Sequence, residues 1–194
     1  MEASGGGDMP VSVGAGERRM KMKVMVAVDE SDCSFHALKW ALDNVLNNMT
    51  TTATPDENIE DGGGMVFLVH VEPAFHPAVY PIGTSALYPA SASLEDLMRK
   101  AQREKSTSTL SRALQMCRDN QIKAESIILT GDAREMICQA ADQMHVDLLI
   151  MGSRGLGMLK RTFLGSVSDY CAHHAKTPIL IVKPPEDKEH KKKK

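Results

Sequence analysis

The sequence predicts an α/β fold, an open, doubly wound sheet of five parallel strands with helices on both faces. Short, almost continuously apolar runs, such as KVMVAV at 23–28, are typical of parallel strands that are buried on both faces. Segments with apolar residues at i, i+3, i+4 and i+7 alternate with these runs, as in repeated β-α units. The chain has 194 residues, which suits one domain with tails.

Each strand and helix is predicted from its own pattern. Apolar runs predict strands at 23–28, 65–71, 126–130, 148–151 and 179–182. Amphipathic stripes predict four helices: one through 38–45 with a cap at Ser31, Asp32 or Ser34, a long one from Ser93 to near Asn120, one through 137–144, and one from about Gly165. Because the strands alternate with helices, we expect parallel neighbours joined by right-handed crossovers.

Both ends of the chain and two internal connections differ in composition from this core. Residues 1–20 are rich in Gly, Ser and charge and are predicted to be a disordered extension; 21–185 form the domain, and 186–194 are a charged tail. The connections at 47–64 and 72–92 are unusually long. The second holds four prolines, which exclude a regular helix or a central strand. It either covers a ligand as a lid or packs on the surface.

Composition narrows the classes of partner and compartment. The formal net charge is −2, so no nucleic-acid partner is predicted. The four cysteines are widely separated and include no CxxC, which favours neither a zinc site nor a disulfide framework and suits a reducing, cytoplasmic compartment. No run approaches the length of a membrane span, and the first residues lack the apolar segment of a signal peptide.

The most informative stretch is MGSRGLGMLKRTFLGSVS at 151–168, which follows a predicted strand and opens a predicted helix. Its spacing is Gly152-x2-Gly155-x9-Gly165-Ser166. Glycines let another group approach the backbone closely, and a helix start presents unpaired amides to an anion. The stretch is therefore interpreted as a phosphate cradle, although it contains no GxxxxGK[ST] motif. The alternative is a glycine-rich surface loop that binds nothing.

Polar residues also follow the first strand, in the segment DESDCS at 29–34. Open α/β sheets bind their ligands at the carboxyl ends of the strands, so Asp29 is a candidate ligand-binding carboxylate. By position alone it could equally be a turn or cap residue. His70, within the second strand, could be a ligand or a base, but no second metal-binding residue stands at the required spacing. It is therefore interpreted as a structural histidine at the edge of the core.

The glycine spacing, the Asp29 turn and the ending TPILIVKPP resemble the ATP-binding group of the universal stress protein family, in particular its plant-type members. The resemblance covers about 21–185. It implies a Rossmann-like (adenine nucleotide alpha hydrolase-like) sheet of order 3-2-1-4-5, with Asp29 facing Gly152 across a crevice between strands one and four. It also implies a homodimer that pairs through the strand at 179–182.

The same resemblance implies a ligand and a set of contacts. Asp29, Ser31 and Ser34 match the family's DxSxxS turn beside the ribose and adenine, and the main chain of Val71 would contact adenine. Phosphates would bind the amides of Gly152, Gly155, Gly165 and Ser166 and the Ser166 hydroxyl. The ligand would be ATP or AMP, with Mg²⁺ on the phosphates. The full predicted set is Ala27, Val28, Asp29, Ser31, Ser34, Val71, Met151, Gly152, Arg154, Gly155, Gly165, Ser166, Val167 and Ser168.

The resemblance implies a nucleotide-binding regulatory module in a stress response. One alternative is a slow ATPase or phosphotransferase that uses the same pocket, with Asp29 and Asp32 helping to hold Mg²⁺. No base or water-positioning residue is recognisable near the cradle, however, and phosphoryl transfer requires one. The other alternative is a scaffold or chaperone-like protein that needs no nucleotide and acts through the proline-rich connection or the basic tail.

Overall fold

The computed structural model describes residues 22–47, 64–74, 79–82, 86–89, 92–155 and 164–185. The described elements, in chain order, are β1 (Lys23–Ala27), α1 (Asp32–Ala41, continued by a π-helical segment at Leu42–Leu46), β2 (Met65–Glu72), β3 (Val79–Ile82), β4 (Ala86–Pro89), α2 (Ala92–Asp119), β5 (Ala124–Thr130), α3 (Ala133–Gln143), β6 (Leu148–Gly152), α4 (Ser166–His174) and β7 (Ile179–Val182).

Five of these strands form one parallel sheet in the order β5-β2-β1-β6-β7. Numbered among themselves, the strands have the order 3-2-1-4-5, so the predicted fold class and strand order are confirmed. β1 lies at the centre, where Val26 is in register with Leu68 of β2 on one side and Ile150 of β6 on the other. The connections from β1 and β6 leave the sheet in opposite directions, and this switch point is where such sheets bind ligands.

Each face of the sheet packs against its own pair of helices. Side chains at alternate positions of β1, Val24 and Val26, face α1 and α2, whereas Met25 and Ala27 face α3 and α4. All four residues are buried. Burying a side chain of this size contributes about 1.5–3 kcal/mol to folding. The two-sided burial explains why the strand sequences are apolar throughout rather than alternating.

Some element boundaries differ from the prediction. β5 begins at Ala124, two residues earlier than predicted, and β2 continues through Glu72. The connection at 72–92 contains an antiparallel ribbon, β3 with β4, that the sequence pattern did not predict. Prolines at 81 and 89 are compatible with it because each strand of a two-stranded ribbon has one unpaired edge.

Several sequence predictions cannot be compared with the fold. The extension at 1–20, most of the connection at 47–64 and the tail at 186–194 lie outside the described residues. Within the described residues, the helices lack any stretch long and apolar enough to span a membrane.

Candidate functional site

A cavity of about 440 Å³ opens at the carboxyl ends of β1, β2 and β6, between α3 and α4. Every residue of the predicted contact set lines it except Ser31. Five further residues, which the sequence analysis did not predict, complete its wall: Val69, His70, Ala133, Ile137 and Leu164. The predicted residues are therefore brought together in one cavity at the switch point of the sheet.

The turn after β1 is held by its own side chains. One carboxylate oxygen of Asp29, Oδ1, accepts hydrogen bonds from the amide of Ser31 at 3.0 Å and from the Ser31 hydroxyl. The hydroxyl of Ser34 accepts from the Asp29 amide at 3.2 Å and lies 2.8 Å from the Asp29 carbonyl oxygen. Ser31 is also the N-cap of α1, since its hydroxyl accepts from the Ser34 amide at 3.2 Å. Ser31 thus shapes the turn from behind the cavity wall.

The second carboxylate oxygen of Asp29, Oδ2, lies against the segment after β6. A Cβ atom added to Gly155 would lie 2.6 Å from Oδ2, so only a residue without a side chain fits there undisturbed. The prediction placed Gly152 opposite Asp29. In the structure the close approach to the carboxylate comes from Gly155, because Gly152 is still part of β6 and packs against α1.

Gly152 and Gly165 are required for close backbone packing. A Cβ atom on Gly152 would lie 2.8 Å from the carbonyl oxygen of Cys33 in the first turn of α1. A Cβ atom on Gly165 would lie 3.2 Å from Cα of Arg154. The φ angle of Gly165 is −71°, which any residue can adopt. Steric clearance, rather than backbone freedom, therefore explains these glycines.

The carbonyl oxygen of Ser153 joins the two ends of the glycine-rich segment. It accepts hydrogen bonds from the Gly165 amide at 2.8 Å and from the Ser168 hydroxyl at 2.9 Å. The amide of Gly165 is therefore paired within the protein, and its role as a phosphate donor stays a prediction. The Ser168 side chain is buried, and its hydrogen bond to Ser153 holds the start of α4 against the residue that follows β6.

The start of α4 presents backbone amides and polar side chains to the cavity. Gly165 is the N-cap and contributes no side-chain hydrogen bond. The first backbone hydrogen bond of the helix runs from the Asp169 amide to the Gly165 carbonyl, so the amides before Asp169 have no partner within the helix. The amides of Ser166 and Val167 lie at the positive end of the helix dipole. The exposed Ser166 and the half-buried Arg154 add a hydroxyl and a guanidinium. This arrangement suits a phosphate group.

The other end of the cavity is apolar. Val71 at the end of β2 and Ala133 and Ile137 of α3 form this wall. The two α3 residues were missed because they lie about sixty positions from Val71 in the chain. The only sequence signal was that α3 starts at the carboxyl end of a strand, β5, which pairs with β2.

His70 joins β2 to the loop after β1. Its Nδ1 lies 2.9 Å from the carbonyl oxygen of Val28, which can only accept, so Nδ1 carries the hydrogen. The side chain is buried, which fits the predicted structural histidine. Its position in the cavity wall was not predicted.

The start of α3 carries an exposed ion pair beside the cavity. Asp132 caps α3 by accepting from the Arg134 amide at 2.9 Å, and the Arg134 guanidinium pairs with the same carboxylate. These hydrogen bonds from Arg134 lower the pKa of Asp132 to about 2. Among the described residues, no group of three or more His, Cys, Asp or Glu side chains is placed to hold a metal ion. The predicted Mg²⁺ thus stays a prediction.

An open parallel sheet with a cavity at its switch point defines a class of α/β proteins that bind ligands at the carboxyl ends of their strands. The sequence profile of the Universal stress protein family matches residues 20–183, so the chain belongs to that family.

Individual relatives agree with this assignment. The chain is 27% identical to the Universal stress protein A-like protein of Arabidopsis thaliana over 170 residues, which cover 83% of this chain and 89% of the relative. It is 30% identical to Universal stress protein PHOS34 of the same plant, over 90% of this chain and 65% of the relative. Among solved structures, it resembles a universal stress protein family protein from Arabidopsis thaliana with AMP bound. That structure has a TM-score of 0.56 and 25% identity, with 84% of this chain and 92% of that one covered.

Proposed function

We propose that this chain binds an adenine nucleotide, ATP or AMP, in the cavity and acts as a regulatory module in a stress response. The proposal rests on three features that line one cavity: the Asp29 carboxylate, the N-terminus of α4 and an apolar wall. A nucleotide presents the three matching groups in a row: ribose hydroxyls, phosphate and base. The AMP bound to the Arabidopsis relative supports the choice of adenine.

The residues suggest one orientation of the nucleotide. The base would pack between Val71 and the α3 residues Ala133 and Ile137, and the ribose would lie at Oδ2 of Asp29. The α-phosphate would then reach the amides of Ser166 and Val167. Further phosphates and any Mg²⁺ would extend towards Arg154. The bound nucleotide would bridge the loops after β1 and β6 and favour one arrangement of them.

We also propose a homodimer that pairs through β7. This strand is an edge of the sheet, and Ile179, Leu180 and Ile181 are each only half-buried. An edge strand with apolar side chains is protected from aggregation when a second copy pairs with it.

The four cysteines are free thiols, which supports the predicted cytoplasmic location.

The experiment that tests nucleotide binding is isothermal titration of the purified chain with ATP and AMP, with and without Mg²⁺. The informative variant is Ser166→Glu, which puts a negative charge at the phosphate position. Because an acidic residue in the first turn of a helix is favourable, the variant should fold normally. The matched control is Ser111→Glu, which adds the same charge at an exposed position in the middle of α2.

We expect micromolar binding by the unmodified chain and the control, and at least a tenfold loss for Ser166→Glu, which corresponds to about 1.4 kcal/mol. Absence of binding by the folded, nucleotide-free chain would overturn the proposal and favour a nucleotide-independent scaffold. Equal affinity of the two variants for the nucleotide would show that the phosphate does not bind at the start of α4.

A further inference from the structure

Two cysteines meet behind the cavity, between the helices that form its walls. Cys138 of α3 and Cys171 of α4 are 33 residues apart in the chain, and their sulfur atoms lie 3.6 Å from each other. Cys171 is fully buried, whereas Cys138 is half-buried. Nothing in the sequence pattern joined them, because their contact depends on how α3 packs against α4.

We propose that Cys138 and Cys171 are a redox modification site, at which a hydroperoxide oxidises the two thiols to a disulfide that links α3 to α4. The two sulfurs are already in contact, and a disulfide requires them to approach by about 1.5 Å. Side-chain rotation and a small shift of one helix can supply this movement.

The different burial of the two cysteines assigns their roles. Half-buried Cys138 is the one that a peroxide can reach. Its thiolate attacks one peroxide oxygen, the O–O bond breaks, and the other oxygen leaves as water or an alcohol, so that Cys138 becomes a sulfenic acid. The sulfur of Cys171 then attacks that of Cys138. The S–O bond breaks, and the hydroxyl leaves as water with the Cys171 proton.

The reaction balances as two thiols and one hydroperoxide giving one disulfide, one water and one water or alcohol. The two sulfurs lose two electrons, and the peroxide gains them. Burial, together with the neighbouring Cys138 thiol, raises the pKa of Cys171 to about 12. Cys171 is therefore protonated at neutral pH, and because it is fully buried, peroxide does not reach it. It serves as the resolving thiol by passing its proton to the departing hydroxyl of Cys138 as the two sulfurs bond.

The other two cysteines lack such a neighbour and act as internal controls. Cys33 lies in α1 with its sulfur 3.7 Å from the Ser153 hydroxyl. Cys117 of α2 is buried on the opposite face of the sheet, where burial raises its pKa to about 11. Neither of the two is paired with another sulfur, since all four cysteines are described.

The disulfide would also act on the cavity. Ile137, next to Cys138, and Val167, one helical turn before Cys171, both line it. Drawing α3 towards α4 narrows the space between them. This second step rests on the proposed nucleotide binding, and there we expect the oxidised chain to bind AMP at least threefold more weakly.

The test treats the full chain with a small excess of hydrogen peroxide and maps its peptides by mass spectrometry, with and without dithiothreitol. We expect a reducible link between the peptides of Cys138 and Cys171 in the unmodified chain and in Cys33→Ser. Cys138→Ser should form no link, and Cys171→Ser should stop at a Cys138 sulfenic acid that dimedone traps. Since the mapping of the unmodified chain is decisive, the result does not depend on whether Cys171→Ser folds.

Oxidation of Cys138 only to sulfinic or sulfonic acid, or links only between chains, would overturn the proposal. AMP titrations of the reduced and oxidised chain separate the two inferences. Binding by neither form, with the disulfide present, overturns the proposed function and leaves the redox site. Equal binding by both forms overturns the effect on the cavity alone.

Discussion

The two loops that enclose the cavity obtain their shape in opposite ways. The turn after β1 is held by side chains, because the Ser31 and Ser34 hydroxyls and the Asp29 carboxylate bond to one another and to the backbone. The end of β6, the residues after it and the start of α4 pack closely because Gly152, Gly155 and Gly165 have no side chains. The first loop should therefore be sensitive to the removal of atoms, and the second to their addition.

The largest effect is expected for Gly152→Ala. The added Cβ would lie 2.8 Å from the Cys33 carbonyl oxygen, and backbone cannot move away as a side chain can. We expect a loss of about 3 kcal/mol in the free energy of unfolding, measured in urea. Gly155→Ala is the matched control, because the atom nearest to its added Cβ is Oδ2 of Asp29, at the end of a side chain that can move away. Equal stability of the two variants would show that α1 does not pack on Gly152 as described.

Ser34→Ala should have the next largest effect. Its hydroxyl is buried and pairs with the Asp29 amide, which would lose its partner. We expect about 1.5 kcal/mol of destabilisation in the same urea experiment. Thr107→Ala removes an exposed hydroxyl that bonds to the Arg103 carbonyl one turn earlier, and it should change stability by less than about 0.5 kcal/mol. A cost for Ser34→Ala as small as that of this control would mean that side chains do not hold the first loop.

A double-mutant cycle between Asp29 and Gly155 tests the contact across the cavity. Gly155→Ala pushes on Oδ2 of Asp29, so it should destabilise the unmodified chain by about 1 kcal/mol and the Asp29→Ala chain by almost nothing. Urea unfolding of the four proteins gives the coupling. Additive effects would contradict the contact between the two loops.

The smallest effect is expected at the start of α3, where the ion pair is exposed. The folded pKa of Asp132 is about 2, below the ordinary value of 3.8, so its stabilisation is present above the ordinary value and is lost as the pH falls through 2. Asp132→Asn keeps a capping residue and should flatten this part of the stability profile while changing little at pH 7. Thermal unfolding between pH 2 and 7 measures the difference. A steeper decline in the variant would contradict the assignment.

Local sequence patterns were sufficient for most of the sheet. β1, β6 and β7 were predicted to within one residue because strands buried on both faces are apolar throughout. The start of β5 was missed because this strand lies at an edge, where Glu125 and Ser126 are exposed. The strand order came from the family resemblance, since parallel strands with helical connections can be ordered in several ways.

The sequence predicted those cavity residues that lie within or beside a recognisable motif. Asp29 and Gly155 lie shortly after strand ends, Gly152 is the last residue of β6 and Gly165 is the N-cap of α4, and these positions identify the cavity. The α3 residues of the wall, the pairing of the Gly165 amide with Ser153 and the contact between Cys138 and Cys171 were not predicted. Each of them depends on how distant elements pack, and short-range periodicity carries no information about that packing.

The hydrogen bonds of Ser153 have a practical consequence for protein engineering. Its amide donates to the Val182 carbonyl of β7, and its carbonyl accepts from Gly165 and Ser168. One peptide group therefore anchors the points at which the chain leaves β6 and enters α4. A peptide tag or fluorescent reporter inserted between 155 and 164 would be flanked by Ser153 and Gly165, which are hydrogen-bonded to each other. We therefore expect the insertion to leave β6 and α4 in place.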